Sequence, residues 1–299
     1  MKRVPIILDT DMAGDCDDAG ALAVVHKLCD TGKADLLCVV NCISSPYASG
    51  CIDAIDHYYG RIVPVGNLKE NDLYNDPSYS KKYNRYIAEH FPNRYPRADN
   101  APDAVDLLTE IVSSAPQDTV ICCIGPLRIA CRLLQRLGPE IIASHIKQLV
   151  IMGGQFEPLS LPWRNNGIVG IYPEYNIMGD VTSAKYVIEN WPTAVVFASY
   201  ELGYSVISGK KLLDSFDKSN PVATAYKLYG TNGRDSWDLT AVHYAICGEG
   251  DLWHLGEYGT VTLDEEGRTT FHPCKHGKHR ILYSNLTKEE LGMLFDELL

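Results

Sequence analysis

The sequence predicts a single α/β domain over 1–299, with a mainly parallel sheet covered by helices on both faces. Three observations lead there. Continuous apolar runs, rather than alternating ones, recur at 4–8, 35–41, 62–65, 119–124, 148–152 and 194–198, as expected of strands buried on both faces. Helical patterns separate them, at 18–30, 48–60, 78–90, 101–114, 127–137, 181–190, 208–217 and 221–229, and strand–helix alternation indicates βαβ units. No repeat, low-complexity tract or linker divides the 299 residues, which suffice for one large core. After about residue 250 the pattern is less regular, with short strands such as 258–263.

Composition narrows the partners. A net charge of −11 and the lack of a Lys/Arg stripe argue against a nucleic-acid partner. No apolar run approaches membrane-spanning length. The start, MKRVPIILDTD, runs from a short apolar stretch straight into aspartates, unlike a signal peptide, so a cytoplasmic location is the expectation. Ten cysteines are spread along the chain without a CxxC pair, which fits buried free thiols better than zinc or a disulfide framework. Cys122 and Cys123 are adjacent in a strand-like run and should point to opposite faces.

The first strand ends in carboxylates. Asp9, Asp11, Asp15, Asp17 and Asp18 fall within ten residues, between the run Pro5 to Leu8 and a helix beginning near Ala19. Carboxylates this close are tolerable if solvated, if some are protonated, or if a cation sits among them. Hard oxygen ligands suit a divalent ion such as Ca²⁺ or Mg²⁺. A buried strand feeding the cluster places it at the carboxyl edge of the sheet, where open α/β folds bind ligands.

Other strand ends are small or polar and belong on the same edge: Asn41, Ser44 and Ser45; Ile124 before Gly125-Pro126; Met152 before Gly153-Gly154. Each glycine-rich end is also read as an ordinary tight turn. In PEYNIMGD, 173–180, Glu174 and Asn176 are two apart, so in an extended segment both face one way and can grip vicinal hydroxyls of a sugar. Asp180 reads as the cap of a helix starting at Val181. In RDSWDLTAVHYAI, 234–246, Asp238 precedes a helical apolar pattern; on pattern alone it is a helix cap, with a distant ligand role as the alternative. His243 reads as a packing histidine.

Together these pieces resemble the nucleoside hydrolase family, enzymes that cleave the N-glycosidic bond of ribonucleosides. The resemblance rests on DTDMAGDCDDAGAL near the N-terminus, then GPLRIA (125–130), VIMGG (150–154), PEYNI (173–177) and SWDLTAV (236–242), in order over about the first 250 residues. It implies a Rossmann-like mixed sheet, a bound Ca²⁺, a nucleoside substrate and a homodimer or homotetramer. By motif, Asp11, Asp18, Asp238 and the Ile124 carbonyl are the metal ligands, and Asp11 is also the base that takes a proton from the metal-bound water. Asp17, Glu174 and Asn176 hold the sugar, with Asn41 or Ser44 beside them, and Met152 and Trp237 contact the substrate. Oxygens around the ring would stabilise an oxocarbenium-like transition state.

The chain departs from the family pattern in four places. The aspartate loop is two residues longer, which makes Asp15 an extra carboxylate. Arg128-Ile129 replaces the usual Thr-Asn. The segment between Met152 and Glu174 is longer, so the family's sugar-binding asparagine is Asn165, Asn166 or absent. Trp237 stands where many members have a histidine that assists the leaving base, and Tyr226 and Tyr229 are candidates to bond that base instead. Two alternatives stay in view: a nucleoside- or sugar-binding protein on the same scaffold, and a haloacid-dehalogenase-like phosphatase, for which no Lys with an Asp-Asp pair follows at a strand end.

Overall fold

The computed structural model describes residues 2–70 and 83–299. Its strands are β1 (Val4–Thr10), β2 (Ala34–Asn41), β3 (Val65–Asn67), β4 (Thr119–Cys123), β5 (Ile146–Met152), β6 (Leu159–Ser160) and β7 (Val169–Gly170). These are followed by β8 (Ala194–Ala198), β9 (Ile207–Ser208), β10 (Arg234–Asp235), β11 (Trp253–Leu255), β12 (Gly259–Leu263), β13 (Thr269–Pro273) and β14 (His279–Ser284). The helices are α1 (Asp17–Asp30), α2 (Ala48–Tyr58), α3 (Asn84–His90), α4 (Ala104–Ser114), α5 (Arg128–His145) and α6 (Tyr175–Met178). The remainder are α7 (Val181–Asn190), α8 (Tyr200–Gly203), α9 (Lys210–Asp214), α10 (Pro221–Tyr229), α11 (Trp237–Cys247) and α12 (Lys288–Leu298).

One sheet organises the domain, in the order β13-β12-β14-β8-β5-β4-β1-β2-β3, with β11 pairing β14 beside it. From β14 to β3 every pairing is parallel; β12 and β13 add an antiparallel edge. The strand order reverses between β1 and β4. Ligands bind outside the carboxyl ends of strands at such a switch point, and here the aspartate loop leaves β1 beside Ile124 leaving β4. Each face of the sheet has its own core. Leu8, Cys122 and Val150 pack in one; Ile7, Cys123 and Ile151 pack in the other. Cys122 and Cys123 therefore do face opposite ways, and all ten cysteines are free thiols. No helix among the described residues is long and apolar enough to cross a membrane.

Several boundaries differ from the sequence expectation for local reasons. The strand expected at 62–65 is Val65–Asn67, because Asn67 receives a further backbone pairing from the segment before α4. The helix expected from 101 starts at Ala104, capped by Asp103, whose carboxylate accepts from Val105 and Asp106 N–H. The helix expected to stop at 137 resumes after a kink at Gly138, where φ is +77° and Pro139 follows. The segment 208–217 holds a strand end, a left-handed Gly209 and only then the short α9. Residues 78–82 of the helix expected at 78–90 lie outside the described residues; Asn84–His90 is helical. Beyond 250 the chain is more regular than expected: four strands and α12 follow, and β14 joins the main sheet parallel to β8. The two-residue alternation there is masked because β12 and β13 are half exposed and rich in Thr and His.

Candidate active site

The carboxyl edge of the sheet opens into a cavity of about 730 Å³. Asp11, Asp17, Asp18, Ile124, Met152, Glu174, Asn176, Trp237 and Asp238 all line it. β1 ends one residue before Asp11, and α1 begins with Asp17 and Asp18 in its first turn. α11 begins at Trp237, with Ser236 at its cap position, so Asp238 lies in the first turn and is not the cap that the pattern suggested. Asp180 is a cap as expected, accepting from Ser183 N–H at 2.9 Å.

Asp17, Asp18 and Asp238 each offer a carboxylate oxygen within 4.8 Å of the others, and all three are buried. Burial drives each of these carboxyls well above its ordinary pKa, and mutual repulsion pushes further. The Thr10 hydroxyl donates to Asp18 Oδ1, which also accepts the Asp11 N–H at 3.3 Å. The Asp238 N–H donates to Asp17 Oδ2 at 3.3 Å. These few donors do not neutralise three buried carboxylates; a hard divalent cation does, and the all-oxygen donor set fits one. The Ile124 carbonyl faces the same cavity. It accepts from Asn176 Nδ2 at 3.2 Å and keeps a second lone pair. By motif, the ligand carboxylates were expected to be Asp11, Asp18 and Asp238, with Asp17 on the sugar. The geometry instead groups Asp17 with Asp18 and Asp238, and sets Asp11 beside them.

Asp11 is held where β1 and β4 converge. A Cβ on Gly125 would sit 2.9 Å from Asp11 Oδ1 and 2.7 Å from Cys42 Sγ, so only glycine allows this approach. Burial raises the Asp11 carboxyl to about 7. Glu174 has an extended backbone, but the chain turns helical directly after it: its side chain caps α6, accepting from Asn176 N–H at 2.9 Å, Ile177 N–H at 3.2 Å and Gly154 N–H at 3.1 Å. That capping bends the chain after Pro173 into a helical turn. Asn176 Nδ2 also donates to the Met152 carbonyl at 3.1 Å, which locks the two strand ends to α6.

Across residues 6–280 the chain matches the family model for inosine-uridine preferring nucleoside hydrolases. The chain belongs to that family. As a nucleoside hydrolase it is an N-glycosyl hydrolase, and the phosphatase reading falls away. Solved structures agree in fold. An inosine-uridine preferring nucleoside hydrolase from Bacillus anthracis is similar at TM-score 0.74 and 17% identity, covering 100% of this chain and 99% of that one. A purine-preferring ribonucleoside hydrolase from Gardnerella vaginalis gives 0.74 and 18%, covering 98% of each. The plant nucleoside hydrolase PpNRh1 gives 0.73 and 18%, covering 99% and 98%. A comparison with curated protein sequences gives no match.

Within this nucleoside hydrolase, some expected residues are not at the cavity. Asn41 is fully buried behind it, donating to the Ile43 carbonyl at 2.6 Å and to Asn67 Oδ1 at 2.9 Å. Ser44 is buried and does not line it. Asn166 is exposed, with φ +54°, in the turn between β6 and β7; the side chain of Asn165 lies outside the described residues. Tyr226 is buried in the core, and Tyr229, not itself a lining residue, donates to Asp15 on the cavity wall. His243 packs inside, accepting from Trp253 Nε1 at 2.9 Å. Arg128 does not line the cavity: it pairs with Asp180 at 3.5 Å and donates to the Gly179 carbonyl at 3.0 Å, while its positive charge still acts on Asp11.

Other lining residues carried no sequence signal. Arg234 Nε donates to both oxygens of Asp15, at 2.9 and 3.0 Å, and its Nη1 reaches Asp235 at 3.3 Å. Tyr200 stacks on Trp237 with ring centroids 5.2 Å apart, and the Arg234 guanidinium covers Trp237 at 4.9 Å. Trp163, two-thirds exposed, stands at the mouth on the long segment before Glu174. Arg234 lies 219 residues from Asp15, and Tyr200 is far from Trp237 in the chain, so no local pattern announces those two pairs.

Proposed function

We propose that the protein is a Ca²⁺-dependent hydrolase of ribonucleosides that releases ribose and the free base, with Asp11 as the base for the attacking water. The observation that carries this reading is the convergence of Asp17, Asp18 and Asp238 beside Asp11 and the Ile124 carbonyl in one cavity. Asp17, Asp18, Asp238 and the Ile124 oxygen would hold the ion, with Asp11 close enough to share in it or to stay free as a base. When bound, Ca²⁺ supplies positive charge that makes a neighbouring water a stronger acid. Asp11 accepts that proton, which its buried, poorly solvated carboxylate favours.

Glu174 and Asn176 face the sugar. Burial raises the Glu174 carboxyl above its ordinary value, and three backbone N–H groups work against that shift and hold the group fixed where the ribosyl ring becomes positive. The Asn176 amide is oriented by the Ile124 and Met152 carbonyls, which leaves its oxygen to meet a hydroxyl. The protein is further proposed to act in the cytoplasm, as a homodimer or homotetramer, in nucleoside salvage.

Ribose release from a panel of purine and pyrimidine ribonucleosides tests this function. The expectation is reducing sugar in proportion to free base from at least one of them. A panel that yields no ribose while the folded protein still binds the same nucleosides would turn the reading into that of a binding protein.

A further inference from the structure

Neutral nucleobases are poor leaving groups, and hydrolases ordinarily hand them a proton. Among the described lining residues the only neutral hydroxyl donors are the phenols of Tyr175 and Tyr200, and burial pushes the Tyr200 hydroxyl above its ordinary range, which makes it a poor proton donor. Neither histidine nor lysine is present, and the one guanidinium, Arg234, is held by Asp15 and Asp235. The carboxylates outside the metal-facing group are all acceptors. Asp15 Oδ1 accepts from Cys16 N–H at 2.7 Å and from Arg234; its Oδ2 accepts from Arg234 and, at 3.3 Å, from the Tyr229 hydroxyl. Asp235 Oδ1 accepts from Ser205 N–H at 2.5 Å and Oδ2 from Arg234. Both Glu174 oxygens accept backbone N–H groups. Each of these oxygens presents an electron pair, not a proton. Trp237 donates its Nε1–H to the Tyr200 carbonyl at 2.9 Å, and an indole is no acid.

Charge points the same way. Seven lining side chains are carboxylates against the single guanidinium, so even a divalent cation leaves the wall net negative. A neutral base departing without a proton would be an anion entering that field. A base that is already cationic departs as a neutral molecule and is attracted on arrival.

We propose that, within the N-ribohydrolase reading above, the preferred substrates are ribonucleosides whose base is already a cation, N-quaternised heteroaromatic rings such as N7-alkylated purines and N-ribosylpyridines. The step balances without an acid. The C1′–N bond breaks with both electrons passing to the ring nitrogen, which cancels the positive charge. The water oxygen forms the new C1′–O bond, and its proton goes to Asp11 and then to solvent. The products are ribose, a neutral base and one proton.

The test compares guanosine with N7-methylguanosine on the full-length, Ca²⁺-loaded protein. p-Nitrophenyl riboside, whose phenolate leaves unassisted, reports that the ribosyl site and Asp11 work. A site whose neutral donors are only phenols forgoes a contribution of about 100-fold on guanosine, so N7-methylguanosine is expected to exceed guanosine in kcat/KM by that order. Cleavage of the reporter together with an advantage below about tenfold, or with no turnover of N7-methylguanosine, would overturn the inference. No product from any of the three, reporter included, would remove the hydrolase reading itself and this inference with it.

Discussion

The backbone N–H of Asp238 donates to Asp17 Oδ2 at 3.3 Å, joining the first turn of α11 to the first turn of α1 across 221 residues of chain. Two helix N-termini therefore point at one acidic group, and their positive ends partly offset its charge. What remains is a strained, buried set of carboxylates that a cation would relax.

Replacing Asp238 separates that account from a simple cap. Asp238→Asn should raise the Tm of the metal-free protein, because one buried repulsion is removed, while weakening Ca²⁺ affinity by about tenfold or more. Calorimetric titration and thermal melts with and without Ca²⁺ check both signs. Unchanged affinity would return Asp238 to a structural role in the helix.

Asp11→Asn should lower kcat by about 10² to 10⁴, the range of a lost general base, while the fold persists. Single-turnover measurement of ribose release reads this without interference from product release. Near-normal turnover would remove Asp11 as the base.

The Asp15–Arg234 pair ties the aspartate loop to β10, three residues before Asp238. Both side chains are about one-quarter exposed, so the pair is partly screened, and a double-mutant cycle with Asp15→Ala and Arg234→Ala should give a coupling of about 1 kcal/mol. A coupling indistinguishable from zero by urea unfolding would mean that the loop is held by its neighbours alone.

His243 gives the stability a defined acid limb. Burial pushes its imidazole down to about 4, against about 6.5 in an unfolded chain. Above the unfolded value both states are neutral and stability is full. As pH falls toward 4 only the unfolded state takes up the proton, so up to about 3 kcal/mol is lost over that window. Urea midpoints between pH 7.5 and 4.5 should show this loss, and His243→Gln, which keeps an acceptor for Trp253, should flatten it. An equal slope in the variant would assign the acid limb to other groups.

Reading the chain alone reached the parts of this molecule that are written locally. The parallel strands were legible because burial on both faces leaves continuous apolar runs, as in Ile6, Ile7 and Leu8. Most of the cavity was legible because its residues sit at strand ends and helix starts. Asn41 was misplaced for a physical reason: a strand-end asparagine can turn to the cavity or into the core, and its bonds to Ile43 and Asn67 decide that only in three dimensions. The grip of Arg234 on Asp15 and the stacking of Tyr200 on Trp237 are tertiary contacts without a spacing signature. The regularity after residue 250 was hidden by exposure, since a half-solvated strand such as Thr269–Pro273 carries little apolar contrast.

The most direct measurement is to strip the protein with chelator and restore it with Ca²⁺ while following ribose release from its best ribonucleoside. The account predicts that activity is lost on stripping and returns in proportion to bound Ca²⁺, saturating at one ion per chain. Full activity in the stripped protein, or Ca²⁺ binding that restores none, would contradict it.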